Sequence, residues 1–279
     1  MHNPIILETD FGYDDPYTGI MKGVIKTINS NAEIIDLTQG IPPFDINAGA
    51  YVLYTSYKFF PENSIFTVVI DPGVGSSRKP ILAKACKRYF VGPDNGVLYS
   101  VIRSCYNNKS LDFIKVINSG MLLNKVSMLA GYFDLHLSNT FHGRDLFAPA
   151  AALVSMGEEI TEFAPTSISL SDIVKYELIY NIEKDGLICF RPIYADRFGN
   201  VALSTVFKDF VSRHKMSGKV LFITSEGDKF TGVIGSTFSD VPSGSIVLYP
   251  NSFGFLEIAI NKGSAAKLIG KPELICFKN

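Results

Sequence analysis

The sequence predicts an α/β protein of two domains: an N-terminal α/β domain with a largely parallel sheet flanked by helices, and a C-terminal antiparallel β-barrel domain. In the first half, strand-like and helix-like stretches alternate, which is typical of a largely parallel sheet with helices on its faces. In the second half, short β-rich runs and turn residues follow at close spacing, which favours a small antiparallel barrel or sandwich. A chain of 279 residues is also near the practical limit for one core. We expect domains over 1–165 and 179–279, with a linker over 166–178.

The elements of the first half follow from apolar patterning. Four short apolar or β-branched runs predict strands, over 4–9, 33–37, 64–70 and 89–91. Apolar residues at helical spacing predict helices over 14–30, 45–60 and 146–156. Parallel sheets of this kind bind ligands in the crevice beyond the carboxyl ends of their strands. Asp10, Asp71 and Asp94 follow three of the predicted strands, so that crevice is the expected position of a site.

The second half is punctuated by turns. Glycines such as Gly186, Gly227 and Gly244 separate runs that are rich in β-branched and aromatic residues. The predicted strands are 187–191, 220–224, 231–234, 245–249 and 254–260.

Charge and hydropathy limit the class of function. With 26 basic and 27 acidic side chains and a net charge of −1, the chain lacks the electrostatic footprint of a nucleic-acid binder. It has no apolar run of about 18 residues, the length of a transmembrane helix. Its N-terminus lacks the basic start and apolar stretch of a secretory signal. These features favour a soluble cytoplasmic protein.

The four cysteines, Cys86, Cys105, Cys189 and Cys276, lie far apart and form no C-x-x-C pair. We interpret them as core thiols in a reducing compartment rather than as a disulfide framework or a zinc site. Because no cluster of ligands demands a metal, none is expected.

The first candidate motif runs from Thr9 to Asp15 and holds three carboxylates. Asp10 ends a buried strand beside a glycine, where its carboxylate can accept two hydrogen bonds from a ribose diol. Asp14 and Asp15 either open the following helix, where its dipole stabilises negative charge, or have a functional role.

The second motif is the loop from Asp71 to Arg78. A proline and two glycines allow a tight loop that brings Arg78 back towards Asp71. The pair is either an ion pair that closes the loop, or a functional guanidinium that holds an anion or polarises a water. The loop lacks the lysine of a phosphate-binding loop.

The third motif contains His142, which precedes a glycine, a charged pair and a predicted helix. It is the best acid/base candidate of the four histidines. His2 and His214 are expected to be exposed, and His136 lies among apolar residues and is expected to pack against them.

Two further motifs lie in the second half, over 196–200 and 251–255. Aromatic, amide and glycine residues on β-turns can stack on and hydrogen-bond a flat base. They are also the residues of ordinary hairpin turns.

Taken together and in this order, the motifs closely resemble the S-adenosylmethionine (SAM) hydroxide adenosyltransferases. These are SAM hydrolases that form adenosine, and they are related to the fluorinating and chlorinating enzymes. The resemblance covers nearly the whole chain. It is carried by the segments 9–12, 42–45, 71–78, 92–96, 141–145, 198–200 and 251–254.

The resemblance implies a reaction in which water or hydroxide attacks C5′ of the ribose and methionine leaves, with no cofactor. It implies a catalytic set of Asp71, Arg78 and His142. The other implied contacts are Asp10 to the ribose diol, Phe44 beside the sugar, Asp15, Asp196 and Ser252 to the methionine moiety, and Phe198, Asn200 and Phe238 to adenine. It also implies a homotrimer with each site at a subunit interface, between the N-terminal domain of one subunit and the C-terminal domain of its neighbour.

Departures from the halogenating relatives indicate the hydrolytic branch. Those relatives carry Tyr where this chain has Asp71, and Tyr-Ser where it has His142 and Gly143. Tyr17 stands where the fluorinating relatives place a small hydroxyl residue.

The chemistry agrees with this choice. Bulk water, with a pKa of about 15.7, is a poor nucleophile. Arg78 is expected on the nucleophile side, with Asp71 orienting either it or the water. His142 either accepts the proton or fixes the water, and the sequence leaves both open. The leaving thioether needs no proton.

Three other functions remain as alternatives. A calcium-dependent nucleoside hydrolase begins with D-x-D-P-G-x-D-D, but here Glu8 replaces the first Asp and Phe11 replaces the Pro. A non-catalytic SAM- or adenosine-binding protein would need no water-activating set. Halide transfer is disfavoured by the substitutions at the catalytic positions.

Overall fold

The computed structural model of the chain describes residues 3–131, 135–213 and 216–278. The chain divides into two compact units, Met1–Tyr176 and Glu177–Asn279. The expectations for His2 and His214 fall outside the described residues. No helix in the described ranges combines the length and apolar character needed to cross a membrane.

The first unit is built on one seven-stranded sheet with the strand order β2-β1-β3-β5-β4-β6-β7. The strands are β1 (Ile5–Thr9), β2 (Ile34–Thr38), β3 (Ile65–Val69), β4 (Pro80–Ala85), β5 (Arg88–Pro93), β6 (Leu111–Val116) and β7 (Thr166–Ile168). The helices are α1 (Tyr17–Ile28), α2 (Ile46–Ser56), α3 (Tyr99–Asn107), α4 (Ser119–Ala130) and α5 (Ala148–Met156). The four strands of the first-half prediction are present. The segment predicted as a linker contains β7, which pairs with β6.

The first sheet is mixed rather than largely parallel. Its strands β2, β1, β3 and β5 are parallel, whereas β4, β6 and β7 join by antiparallel pairing. The prediction missed β4 because it turns into β5 through Cys86 and Lys87, which have φ angles of 47° and 60°. Positive φ at both central residues is the geometry of a tight hairpin turn, and neither residue is the usual Asn or Gly.

Helix α1 packs against the parallel strands of the first sheet and stabilises them. Its residues Met21, Val24, Ile25 and Ile28 recur at i, i+3, i+4 and i+7, and all four are buried. They join Ile5 and other sheet residues in one hydrophobic core beneath α1, α4 and α5. Burying an aliphatic side chain of this size stabilises the folded state by about 1.5–3 kcal/mol. This packing holds the carboxyl ends of β1 and β3 in place.

The second unit is a nine-stranded sheet of order β10-β11-β15-β14-β13-β12-β16-β9-β8. Its strands are β8 (Asn181–Lys184), β9 (Leu187–Phe190), β10 (Pro192–Ala195), β11 (Val201–Val206), β12 (Lys219–Thr224), β13 (Lys229–Ile234), β14 (Ile246–Pro250), β15 (Phe255–Ile260) and β16 (Ile275–Lys278). Two short helices, α6 (Phe207–Arg213) and α7 (Ala265–Ile269), accompany it. All pairs are antiparallel except β13 with β14. In the part of the chain that is described, β10 and β8 are unjoined ends, so the predicted barrel is not found.

The prediction of four free thiols is wrong. Cys86, in the β4–β5 turn, is bonded to Cys105 of α3, and Cys189 of β9 is bonded to Cys276 of β16. The members of the two pairs are 19 and 87 residues apart, so only the fold brings them together. The cysteines therefore no longer support a reducing compartment.

Candidate functional site

A pocket of about 440 Å³ opens in the first unit, beyond the carboxyl ends of β1 and β3. Asp10 directly follows β1, and Asp71 lies two residues beyond β3. The lining comprises Asp10, Phe11, Asp15, Tyr17, Pro43, Phe44, Val69, Asp71, Val74, Thr140, Phe141, His142 and Gly143. Asp94, at the end of β5, has a different role. It is buried and accepts a hydrogen bond from the backbone N–H of Val174 at 2.8 Å.

Asp71, Arg78 and His142 form one contiguous cluster at this pocket. The Nε atom of Arg78 donates to both carboxylate oxygens of Asp71, at 3.0 and 2.9 Å, and a terminal nitrogen also donates to Oδ2. That terminal nitrogen lies 2.6 Å from Nδ1 of His142. The side chains of Arg78 and Asp71 are only 8% and 5% exposed. A buried pair of opposite charges with several hydrogen bonds has a strongly fixed geometry.

Arg78 returns to Asp71 because the intervening loop is tightly turned. The backbone N–H of Val74 donates to the carbonyl of Asp71 at 3.2 Å, and that of Ser76 donates to Gly73 at 3.1 Å. Gly75 has a φ of +78°, and a Cβ atom there would lie 2.3 Å from the carbonyl oxygen of Asn139. Only glycine fits this position, because any side chain would overlap the backbone opposite.

The contact with Arg78 determines the hydrogen position on His142. A guanidinium donates hydrogen bonds and accepts none, so Nδ1 of His142 must present its lone pair. Burial, followed by the Arg78 charge, lowers the pKa of His142, although the carboxylates of Asp71 and Asp145 and a hydrogen bond with the backbone of Ser138 oppose this. The imidazole is therefore neutral at pH 7 with its proton on Nε2. It can donate a hydrogen bond from that nitrogen.

Asp10 and Phe44 form a second contact at the pocket. The backbone N–H of Phe44 donates to Oδ2 of Asp10 at 2.8 Å, and Phe44 has a φ of 66°. Phe44 is 70% exposed and lines the pocket. Burial raises the pKa of Asp10, and the nearby Asp71 charge adds to this, while backbone hydrogen bonds lower it.

Three aromatic rings form a wall that the predicted site residues did not include. The ring centroids of Phe11, Tyr17 and Phe141 lie 5.2 to 5.8 Å apart in tilted or edge-on pairs. Phe11 and Phe141 belong to the sequence motifs, and the unusual Tyr17 was noticeable in the sequence. Aromatic faces carry partial negative charge and attract cations.

Two sequence expectations for the first unit are wrong. Asp14 and Asp15 do not open a helix, because α1 begins at Tyr17, beyond a proline that caps it. Asp15 instead lines the pocket. His136 is exposed rather than packed, and residues 135–138 form no helix or strand.

In the second unit, the carboxylate of Asp196 shapes its own turn. Its Oδ1 accepts hydrogen bonds from the backbone N–H groups of Phe198 and Asn200, both at 2.9 Å. Its Oδ2 accepts from Nδ2 of Asn200 at 2.8 Å. Asn200 is buried, and the Phe198 ring is 79% exposed. The turn therefore displays an aromatic ring on a rigid base.

The other two predicted residues of this unit lie on separate turns. Phe238 begins a short 3₁₀ turn and is 40% exposed, with its ring centroid 4.9 Å from that of Tyr249. Ser252 is exposed in the turn that follows Asn251. The Oδ1 atom of Asn251 accepts hydrogen bonds from the backbone N–H groups of Phe253 and Phe255, each at 3.0 Å.

Comparison with known proteins identifies similar sequences over nearly the full length. Residues 5–164 match the family of the SAM hydroxide adenosyltransferase N-terminal domain, and residues 192–272 match that of its C-terminal domain. A protein of Thermus thermophilus named (R)-S-adenosyl-L-methionine hydrolase is 30% identical, over 97% of this chain and 96% of its own length. A protein of the same name from Methanocaldococcus jannaschii is 32% identical, over 95% of this chain and 91% of its own.

A solved structure extends the similarity to the fold. An uncharacterized conserved protein from Thermotoga maritima aligns with a TM-score of 0.82 and 32% identity, over 99% of this chain and all of its own.

Proposed function

The chain belongs to the SAM hydroxide adenosyltransferase family and hydrolyses S-adenosyl-L-methionine to adenosine and L-methionine, and we propose that the pocket of its first unit performs this reaction. One observation carries the proposal: Asp71 and His142 both line the pocket, and Arg78, which is not among the lining residues, forms hydrogen bonds with both. A water between the Asp71 carboxylate and Nε2 of His142 would face the ribose.

The proposed step forms one bond and breaks one. The oxygen of water bonds to C5′ of the ribose, and the C5′–S bond breaks with its electron pair going to sulfur. The sulfonium becomes a neutral thioether, so no general acid is needed on that side. The attacking water becomes a strong acid as its bond to carbon forms, and even a weak base then suffices to take its proton.

The contacts of the cluster favour Asp71 as the proton acceptor. His142 presents Nε2–H, which donates to the water, while its Nδ1 lone pair is engaged with Arg78. Asp71 accepts from Arg78, but a carboxylate has about four acceptor sites, so one remains for water. Arg78 is absent from the described residues that line the pocket. It therefore acts through Asp71 and His142, by holding the carboxylate and fixing the imidazole tautomer.

The charge of the pocket suits a cationic substrate. Asp10, Asp15 and Asp71 line it, and the Arg78 guanidinium lies behind Asp71. The carboxylates attract the sulfonium, and excluding bulk water strengthens that attraction. We assign Asp10 to the ribose diol, Phe44 to the side of the sugar, and Asp15 to the amino group of methionine. No metal or cofactor is proposed, because the sulfonium already supplies a good leaving group.

The exposed rings of Phe198 and Phe238 in the second unit suit the rest of the substrate. Phe198, Asn200 and Phe238 are proposed to bind adenine, and Asp196 and Ser252 to hold the methionine moiety. We propose, following the family resemblance, a homotrimer in which a neighbouring subunit supplies these groups. Light scattering should then give three times the mass of one chain. Mixed trimers of an Arg78→Ala chain and a Phe198→Ala chain should recover activity, because some sites would receive two intact halves.

Chromatography of the products tests the reaction itself. Incubation with SAM should release adenosine and methionine in equal amounts. Release of adenine that is sensitive to chelators would instead indicate a calcium-dependent nucleoside hydrolase, and binding without turnover would indicate a sensor. Release of a 5′-halogenated nucleoside in the presence of halide would indicate halide transfer.

The configuration at sulfur is a further part of the proposal. The names of the two relatives specify the (R) configuration. We propose the same preference for this chain, since its aromatic wall and carboxylates form an asymmetric surface around the sulfonium. Parallel assays with the two separated epimers should show faster turnover of the (R) form.

A further inference from the structure

A buried carboxyl group lies near the turns of the second unit that carry the proposed substrate contacts. Glu257 is in β15 and is 8% exposed. Its neighbours in the strand, Leu256 and Ile258, point into the main core of the unit. Because side chains alternate along a strand, Glu257 lies on the other face, which carries a small apolar cluster with Tyr249 and Ala259. None of the site assignments above uses this group.

Two side chains donate hydrogen bonds to this carboxyl group. The hydroxyl of Tyr249, which is directly opposite on β14, donates to Oε1 of Glu257. Nδ2 of Asn251 donates to Oε2 at 3.1 Å. The amide orientation of Asn251 is fixed, because its Oδ1 accepts from the backbone N–H groups of Phe253 and Phe255. Its Nδ2 must therefore find an acceptor, and Glu257 provides it.

Each partner leads to a different turn. Asn251 shapes the turn of residues 251–255, which presents Ser252 and Phe253. The ring of Tyr249 packs against Phe238 with centroids 4.9 Å apart.

The third turn is coupled to Glu257 by charge. Burial raises the pKa of Glu257, and the negative charge of Asp196 raises it further, while the hydrogen bonds from Tyr249 and Asn251 lower it. Asp196 organises the turn that displays Phe198 and Asn200. Hydrogen-bonded partners therefore tie two of the three turns that carry the proposed substrate contacts to Glu257, and the charge of Asp196 acts on it from the third.

We propose that Glu257 is a positioning residue for substrate recognition. It holds Tyr249 against Phe238 on the adenine side, and through Asn251 it locks the turn that presents Ser252 to the methionine moiety. The inference rests on the proposed function. Stability alone does not account for a carboxyl group here, because a buried hydrogen-bonded group and its partners can often be replaced together by apolar residues of the same shape without loss of stability. A fixed arrangement of turns, by contrast, requires directional hydrogen bonds.

Kinetics of Glu257→Ala with SAM test the proposal. The loss of both acceptors should raise KM about tenfold, the effect of about 1.4 kcal/mol, while kcat changes less than about threefold, because the catalytic cluster is in the other unit. Glu257→Gln should restore KM to within about twofold. Its carbonyl oxygen can accept from Asn251, and the Tyr249 hydroxyl can turn to accept from its amide.

The contrary results are equally specific. A lower melting temperature of Glu257→Ala with unchanged KM would overturn the proposal and leave Glu257 a structural residue. Failure of Glu257→Gln to restore KM would also overturn it, because geometry would not then be the cause. The matched control is Glu226→Gln, an exposed glutamate of the same unit, which should behave like the wild type.

Two further measurements cover other failures. If Glu257→Ala does not fold, Tyr249→Phe removes one of the two hydrogen bonds, and an unchanged KM in that variant would count against the proposal. Calorimetric binding of adenosine separates this inference from the reaction. If the wild type binds adenosine but does not cleave SAM, the proposed function fails, while a weaker adenosine affinity in Glu257→Ala would still support positioning.

Discussion

His142 and Arg78 share a hydrogen bond in which Nδ1 of the imidazole lies 2.6 Å from a terminal guanidinium nitrogen. Because Arg78 also binds Asp71, this one side chain fixes the positions of both Asp71 and His142, which line the pocket. Arg78→Ala should therefore lower kcat by about a hundredfold or more, the range seen when an electrostatic catalytic group is removed. KM should change less than about threefold, since Arg78 does not line the pocket.

Steady-state kinetics with SAM provide the measurement for Arg78. If kcat and substrate affinity fell equally in Arg78→Ala, the role of Arg78 would be substrate binding rather than catalysis. Arg103→Ala is a matched control, because Arg103 is on α3, outside the cluster and outside the pocket lining. That variant should retain the wild-type kcat.

The lowered pKa of His142 predicts the acid limb of the pH profile. An unperturbed histidine is half-protonated at about pH 6.5. Burial and the Arg78 charge favour the neutral form of His142, so its protonation requires a lower pH. The stabilising contribution of the neutral imidazole is present above the unfolded-state pKa and is lost as the pH falls through the folded-state pKa.

We therefore expect kcat/KM to stay level as the pH falls through 6.5 and to decline only below that value, when Nδ1 gains a proton and loses its contact with Arg78. A pH–rate profile from pH 4.5 to 8 checks this, with melting temperatures measured at each pH. A decline centred above pH 6.5 would contradict the proposed neutral imidazole.

The parts that depend on local sequence were predictable. Arg78 returns to Asp71 across six intervening residues that include a proline and two glycines, and the structure contains the ion pair that was one of the two interpretations. Asp10 and Asp71 share the pocket because parallel strands end at the same edge of the sheet. The apolar runs that predicted β1 and β3 reflect burial, since every residue of these two strands is buried.

The parts that depend on distant contacts were not predictable. Strand β4 is defined by its pairing with β5 and β6, which no local pattern specifies. Cys189 and Cys276 are brought together only by the pairing of β9 with β16. Glu257 was missed because its partners are reached across strands and turns, and a lone glutamate in an apolar strand has no recognisable spacing.

Asp10 is proposed to recognise the ribose diol, which a paired change in enzyme and substrate can test. The wild type should prefer SAM over its 2′-deoxy analogue by about tenfold or more in kcat/KM. The analogue lacks one hydroxyl, so the desolvated Asp10 carboxylate loses a hydrogen bond that nothing replaces. In Asp10→Ala, SAM turnover should fall towards that of the analogue, and the preference should shrink to about twofold.

The control for this comparison is Asp14→Ala, which removes a neighbouring carboxylate that does not line the pocket. It should preserve the preference for the diol. A preference that persists in Asp10→Ala would assign the diol to another residue.

Glu8 predicts an unusual dependence of stability on pH. It is fully buried in β1, and both of its carboxylate oxygens lack a hydrogen-bond partner among the described residues. Burial raises the pKa of Glu8 well above its ordinary value of 4.5. The folded state therefore keeps the proton that the unfolded chain loses. The stabilising effect of that proton is fully present below pH 4.5 and is lost as the pH rises towards the folded-state pKa.

Glu8→Gln removes this titration without changing the shape of the side chain. Urea unfolding at pH 4, 5, 6 and 7 should show similar stabilities at the lowest pH. The variant should then become increasingly more stable than the wild type, by up to about 1.4 kcal/mol for each pH unit. The exposed Glu226→Gln should show no such trend. A constant difference between Glu8→Gln and the wild type across this range would mean that Glu8 is ionised in the folded protein, with its charge compensated by a partner such as bound water.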